Sequence, residues 1–431
     1  MRGDPLFLRW DRWRQTLAAL PFFLLAACSA LPTPVLLDTD SFLGMNALVN
    51  NNGAPRRPLH VLIVHGMGTP APYQFEGFIK SLADRFGLVQ THLSTTGPQL
   101  QGCYPATPAQ QALAHPIPQA ITIDGVPPDA SAQLYTYSFA LTPDDSPVLT
   151  VSYLHWAPLT ERIKCDLAAQ EKAKDAPTRQ AFANFAKDFI DDKLADVVLY
   201  GGTYRESVMR PTLQAALCLM INGKPSGDGK TCRHGDYSER TVIITHSLGG
   251  YMMMDAIDDE LRREKAGVKS AARTLLENTQ FIFMMANQLA LLDLTTLEGY
   301  PRKLGGPRTE ADIAEHFAAR WAAIKLRSPL PSTLAEPNEV PTTRQIVAFS
   351  DPNDILSWRL KRYDLKLPPS EWKSVRLTNV YLSNGEFSVP LLFSDPTTAH
   401  LGYFDNQLVM DMLVCGVDKG VPLTCLQNNI R

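Results

Sequence analysis

The chain has 431 residues, 45% hydrophobic and 20% charged, enough to bury a substantial core and unlike a disordered or collagen-like composition. Its formal net charge of −3, with no run of Lys or Arg, leaves no electrostatic footprint for nucleic acid, so no polyanion partner is expected.

At the N-terminus, Arg2, Arg9, Arg12 and Arg14 precede an apolar run from Leu17 to Ala27. That run is too short to span a bilayer, which takes about 17–25 residues in a helix. A basic flank, a short apolar segment and then small residues predict a secretory signal peptide over 1–27. Its last three residues with the next one, Leu25-Ala26-Ala27-Cys28, resemble the lipobox of bacterial lipoproteins. The resemblance implies that Cys28 is lipidated and becomes the first mature residue, and that Ser29 behind it directs the protein to the outer membrane of the cell envelope. An ordinary signal peptide with an incidental Cys28 is the plainer alternative. Each buried acyl CH₂ contributes about 0.8 kcal/mol, so such chains would tie the protein to a membrane without a spanning helix.

Seven cysteines are present. With Cys28 set aside, loop closure makes Cys218–Cys232 and Cys415–Cys425 the local pairs and leaves Cys103–Cys165, although six cysteines allow about 15 pairings in all. None has the C-x-x-C spacing of a zinc or redox site, so structural disulfides are expected and no metal.

Residues 28–58, rich in Pro, Asn and Gly, read as a tether. The body, 59–431, then begins with "LHVLIVHGMG", a continuous apolar run that fits a strand buried on both faces. Next, "YQFEGFIKSLADRFG" has helical spacing and stops at Gly87. An irregular, Pro-rich stretch over about 90–150 contains two strand-like runs, "QLYTYSFAL" and "VLTVSYLHWA", and 160–220 reads as helices. Further strands are expected at "RTVIITHS", "TQFIFMMANQL", "RQIVAFS" and "SVRLTNVYLS", with helices over 249–265, around 309–327 and over 403–414. This alternation predicts an α/β fold with a mostly parallel central sheet and helices on both faces. The segment 289–340 is either a helical cap over a site or a surface helix between Pro-rich loops.

The chemistry centres on "TVIITHSLGGYMMMDAI", in which a strand runs into Ser247 and a helix follows. This passage resembles the nucleophile elbow of lipases and esterases of the α/β-hydrolase superfamily, usually G-x-S-x-G, with Thr245 where the first Gly would stand. Only one other serine, Ser383, has Gly two residues on, and its "SNG" reads as a hairpin turn. The resemblance implies the α/β-hydrolase fold, with insertions at about 90–150, 160–220 and 289–340, and the order Ser, acid, His along the chain.

Downstream of Ser247 lie only His316, in a helical run, and His400, in a loop before the final helix. The superfamily places its base where His400 stands. For the acid, "SDPNDIL" offers Asp351 and Asp354; the superfamily's Asp before an aliphatic pair favours Asp354, with Asp351 capping the turn. The oxyanion donors implied are the backbone N–H groups of Leu248 and of Met67, the latter in "VHGMG", which resembles the His-Gly-x loop of bacterial lipases. "GDGKT" at 227–231 lacks the Gly of a phosphate loop at Lys224, so no nucleotide cofactor is expected, nor any other. Trp156, Trp321 and Trp358 could line a pocket or simply fill the core.

The expected function is serine hydrolysis of carboxylic esters, with a lipid or other acyl ester as substrate and the membrane met through the anchor. Thioester, amide or acyl-transfer chemistry would use the same triad, and a hydrolase-like lipoprotein that only binds a lipid or protein is the alternative outside enzymes.

Overall fold

Six strands pair side by side in parallel, and the central four have runs of Val, Ile, Leu, Phe and Met on both faces, which can be buried only between two layers of helix. The computed structural model describes residues 34–37, 39, 41–49, 58–70, 74–91, 116–171, 187, 189–292, 321–327, 344–360, 375–384 and 396–423. Its main sheet has ten strands: β1 (Val35–Leu37), β2 (Leu59–Val64), β3 (Val89–Gln90), β4 (Gln119–Ile121), β5 (Ala132–Ala140), β6 (Leu149–His155), β7 (Arg240–His246), β8 (Thr279–Met285), β9 (Arg344–Ser350) and β10 (Val375–Tyr381). They lie in the order β1-β10-β9-β8-β7-β2-β6-β5-β3, with β4 also paired to β5. The six from β10 to β6 are mutually parallel. At the margins β1, β3, β4 and β5 run antiparallel to their neighbours.

Side-chain alternation divides the core in two. Leu59, Val61 and Ile63 of β2, with Val242, Ile244, Phe281, Phe283, Val347 and Phe349, pack on one face against α1 (Glu76–Arg85) and α8 (Gln407–Cys415). Leu62, Val64, Ile243, Ile282, Met284, Ile346 and Ala348 face α4 (Arg210–Met220), α5 (Leu248–Arg263) and α6 (Ala271–Leu276) on the other. The fold is therefore mixed α/β, with a largely parallel sheet between helical layers, as the alternation in the sequence predicts. In such sheets reactive groups gather beyond the carboxyl ends of the parallel strands.

Three segments depart from expectation. The stretch expected as a tether over 28–58 is bound to the body in its described part: Val35–Leu37 adds β1 to the sheet edge, and Phe42, Met45, Leu48 and Val49 are buried. The Pro and Asn content hid these few apolar residues, which are enough to dock a short chain. In the irregular 90–150 stretch the expected runs "QLYTYSFAL" and "VLTVSYLHWA" form the hairpin of β5 and β6, and the unforeseen addition is the short strand β4 paired to β5. In 160–220 the helices α2 (Pro158–Glu171), α3 (Ala195–Gly201) and α4 are joined by two π-helical turns, Ile190–Leu194 and Arg205–Met209. Of the expected cap, most of 289–340 and of the helix near 309–327, His316 included, lies outside the described residues. Cys218 and Cys232 are bonded, tying the end of α4 to a two-stranded hairpin that holds "GDGKT" as a local turn. Cys165 and Cys415 are disulfide-bonded as well; Cys28, Cys103 and Cys425 lie outside the described residues.

Candidate active site

Ser247 joins the end of β7 to the start of α5 in a backbone conformation, φ 53° and ψ −129°, that a residue with a side chain rarely adopts. Holding it costs about 1–3 kcal/mol, supplied by surrounding structure. Its own N–H donates to the Met285 carbonyl at the end of β8 (2.8 Å), and Gly250 N–H donates back to the Ser247 carbonyl (3.1 Å). The turn aims the hydroxyl past the sheet, beside the positive end of a sixteen-residue helix.

The departure at Thr245 has a steric answer one residue beyond the usual pattern. A Cβ on Gly250 would lie 3.0 Å from Thr245 Oγ1, so the extra bulk at 245 occupies room that the second glycine of "LGG" leaves. That hydroxyl is buried and has no hydrogen-bond partner among the described residues, a standing cost of about 1–3 kcal/mol.

His400 Nε2 lies 3.0 Å from Ser247 Oγ, and His400 Nδ1 lies 2.9 and 3.0 Å from the two oxygens of Asp354. A carboxylate can only accept, so the proton sits on Nδ1 and Nε2 is left free to take one from the serine. Asp354 also accepts from Leu356 N–H (3.0 Å) and from the Tyr403 hydroxyl (3.3 Å), and its side chain is fully buried. Of the two aspartates that the sequence offers, Asp354 is the one in contact with His400. Asp351 accepts from the N–H groups of Asn353 (2.8 Å) and Asn384 (2.6 Å), tying the loop after β9 to the one after β10, and does not face His400. His400 itself stands in the last turn of a short helix, α7 (Pro396–Leu401), rather than in the loop that its Pro-Thr-Thr surroundings suggested. Asn384, beside the rival serine Ser383, holds α7 through Ala399 O (2.8 Å).

The loop after β2 reaches the serine because two glycines clear the way. A Cβ on Gly66 would meet Ser247 Cβ at 2.6 Å, and one on Gly249 would meet the His65 carbonyl at 2.3 Å. Met67, next along, is buried, and Leu248 begins α5, where an N–H has no acceptor within the helix. Side chains then fix the loop. The Trp156 N–H can only donate, and it lies 3.1 Å from His65 Nε2, so His65 carries its proton on Nδ1 and donates to the Gly66 carbonyl at 2.7 Å. The Trp156 indole stacks on His65 at 4.6 Å and donates to the His65 carbonyl (2.9 Å). Burial, then the neighbouring His155, holds the His65 pKa well below its ordinary value, so the ring stays neutral as that pattern requires. Trp156 is thus a brace beneath this loop; Trp321 is buried in the core, and Trp358 is partly exposed.

Sequence reasoning missed three groups that touch the site. His246 Nε2 donates to the His400 backbone carbonyl (2.8 Å), and burial, then the neighbouring His400 ring, pushes its pKa down to about 3. Tyr403 accepts from Asp351 N–H (2.7 Å) while donating to Asp354, and burial raises its pKa well above 10.0, keeping it a donor. Asp196 accepts from Gly68 N–H at 2.6 Å. His246 and Tyr403 flank their partners in sequence and could have been suspected; nothing local marks Asp196. No known protein-family model matches this chain, and a search of curated proteins finds no relative.

Proposed function

We propose that the chain is a serine hydrolase of the α/β-hydrolase superfamily that cleaves carboxylic esters, with lipid or other acyl esters as substrates. The observation that carries this reading is the relay Ser247–His400–Asp354, with a 3.0 Å and then a 2.9 Å link and the serine strained at a strand–helix turn. The strand order supports the superfamily: the nucleophile follows central β7, the acid follows β9, and the base comes after β10.

In the reaction Ser247 Oγ attacks the acyl carbon while His400 Nε2 takes its proton. Asp354 holds the ring and stabilises the imidazolium. Charge on the former carbonyl oxygen is met by the N–H groups of Met67 and Leu248. The tetrahedral adduct collapses to an acyl-enzyme as His400 protonates the departing alkoxide, and water activated by the same ring releases the acid. Thioesters, amides and acyl acceptors other than water are open to the same groups, and paired ester and amide substrates separate them.

Ser247→Ala is expected to lower hydrolysis of short p-nitrophenyl esters by at least ~10⁴-fold with an unchanged melting temperature, and wild-type protein to take a fluorophosphonate on Ser247. A folded wild type with no adduct would favour the binding-protein reading. We also propose that Cys28 is acylated and anchors the protein in the bacterial envelope. Labelled palmitate should enter the wild type and be absent from Cys28→Ala; equal incorporation rejects the anchor.

A further inference from the structure

We propose that Asp196, in α3 of the segment that separates β6 from β7, is a positioning residue that holds the oxyanion loop in its working shape; this rests on the hydrolase reading above. The side chain is fully buried. Its Oδ2 accepts from Gly68 N–H at 2.6 Å and from Lys164 Nζ at 3.1 Å, and its Oδ1 accepts from the Thr160 hydroxyl at 2.7 Å. One helical turn earlier, Asp192 accepts from the Thr69 hydroxyl at 2.7 Å. Lys193, in the π-helical turn before α3, lies against the face of Gly68 that a Cβ would fill. Three side chains of one short segment therefore grip two consecutive loop residues.

The grip bears on Met67 through peptide geometry. The Met67 N–H belongs to the Gly66–Met67 peptide plane, whose carbonyl is held by His65 at 2.7 Å. The following plane, Met67–Gly68, is held at its N–H by Asp196. With both planes pinned, the two backbone torsions of Met67 are set, and so is the direction of its N–H before substrate arrives. Donors fixed in advance need no reorganisation when charge develops, which is where such sites derive most of their advantage. Stability is a poor explanation for the same contacts, because burying a carboxylate and an ammonium commonly costs as much as their attraction returns.

The test uses two variants, since Asp196→Ala alone would leave the Lys164 ammonium, only 4% exposed, without its closest partner. The double variant Asp196→Ala with Lys164→Met removes the loop contact and both charges. Asp196→Asn keeps an oxygen for Gly68 N–H and can offer its amide to the Thr160 hydroxyl. For the double variant we expect kcat on p-nitrophenyl butyrate to fall at least ~10-fold with KM within about threefold. Affinity for a trifluoromethyl ketone, which binds as a tetrahedral adduct, should fall by the same factor, whereas Asp196→Asn should recover most of both losses. A folded double variant with wild-type kcat and inhibitor affinity overturns the proposal, and so does an Asp196→Asn protein as impaired as the double variant. Failure of the underlying reading looks different: wild-type protein itself would show neither turnover nor a fluorophosphonate adduct on Ser247.

Discussion

The two flanks of Ser247 are built from different materials. On the side that the proposed reaction uses for acid–base chemistry the groups are side chains, Asp354, His400 and Tyr403, carried on the turn after β9, on α7 and on the turn that follows α7, and laced together by Asp351, Asn384 and Asn406. On the proposed oxyanion side they are backbone N–H groups, and the side chains serve to hold that backbone: His65, Trp156 and Asp196. A side-chain device tolerates movement of its loop as long as the rotamer reaches its partner. A backbone device does not, because the donor has no torsion of its own and points wherever the peptide plane points. The second flank is accordingly braced by buried groups from two other elements, and the first mostly by its own neighbours.

The largest effect that would sharpen this contrast lies on the acid–base side. Asp354→Asn should lower kcat by ~10⁴-fold, because an amide that donates to Nδ1 selects the wrong tautomer, whereas Asp351→Asn should cost about 1–3 kcal/mol of stability and less than ~10-fold in kcat. Steady-state kinetics with thermal melts decide it, and equal kinetic losses would dissolve the division of labour between the two aspartates.

A second, smaller effect probes the backbone flank. Gly249→Ala puts a methyl 2.3 Å from the His65 carbonyl, so the loop and α5 must separate. We expect kcat to fall by ~10²-fold with about 1–3 kcal/mol of destabilisation. Alkylation of a Ser247→Cys nucleophile by iodoacetamide needs His400 and no oxyanion donor, so its rate should stay within about threefold whether or not Gly249→Ala is also present. Loss of both to the same degree would show that the two flanks are one unit.

The smallest effect is on stability against pH. Burial holds the pKa of His155 near 4 and of His246 near 3, and that of His65 well below 6.5. Below pH 6.5 the unfolded chain binds protons at these histidines that the folded protein refuses, so stability falls as pH drops, by up to about 1.4 kcal/mol per pH unit for each. Glu260, pushed up to about 7 by burial, works in the opposite sense between 7 and its ordinary 4.5 and offsets one of the three. Glu161 and Asp196, raised by burial as well, act in Glu260's sense, so the check compares variants: the slope of melting temperature from about pH 6.5 to 4.5 should change when the histidines are replaced, and an unchanged slope would refute it. Two of the three histidines, His65 and His155, lie on the oxyanion side, so replacing both should remove more of the slope than replacing His246.

Much of this arrangement was legible in the chain. The four central parallel strands announced themselves as apolar runs without alternation, since a strand covered on both faces has no polar face to show. Ser247 and Asp354 could be named because each follows the end of a strand, and His400 because only two histidines lie downstream of Ser247. The edge strands were harder: β1 and β4 have three residues each, too few for any periodicity, and β1 lay inside a Pro- and Asn-rich stretch that reads as a linker. The short helix around His400 was hidden because six residues are under two turns, too few for a periodicity, and its two threonines have low helix propensity.

The sequence by itself determined what is local: the α/β alternation, the strand–serine–helix turn, and which few residues are candidates for the triad. Only the tertiary structure set Asp354 rather than Asp351 against His400, explained Thr245 through Gly250, and brought Asp196 to Gly68 across 128 positions of chain. The physical reason is the range of the interactions. Backbone propensity and apolar periodicity act over a turn or a strand and leave a mark in consecutive residues, whereas a hydrogen bond between distant segments constrains two residues with nothing between them to record the pairing.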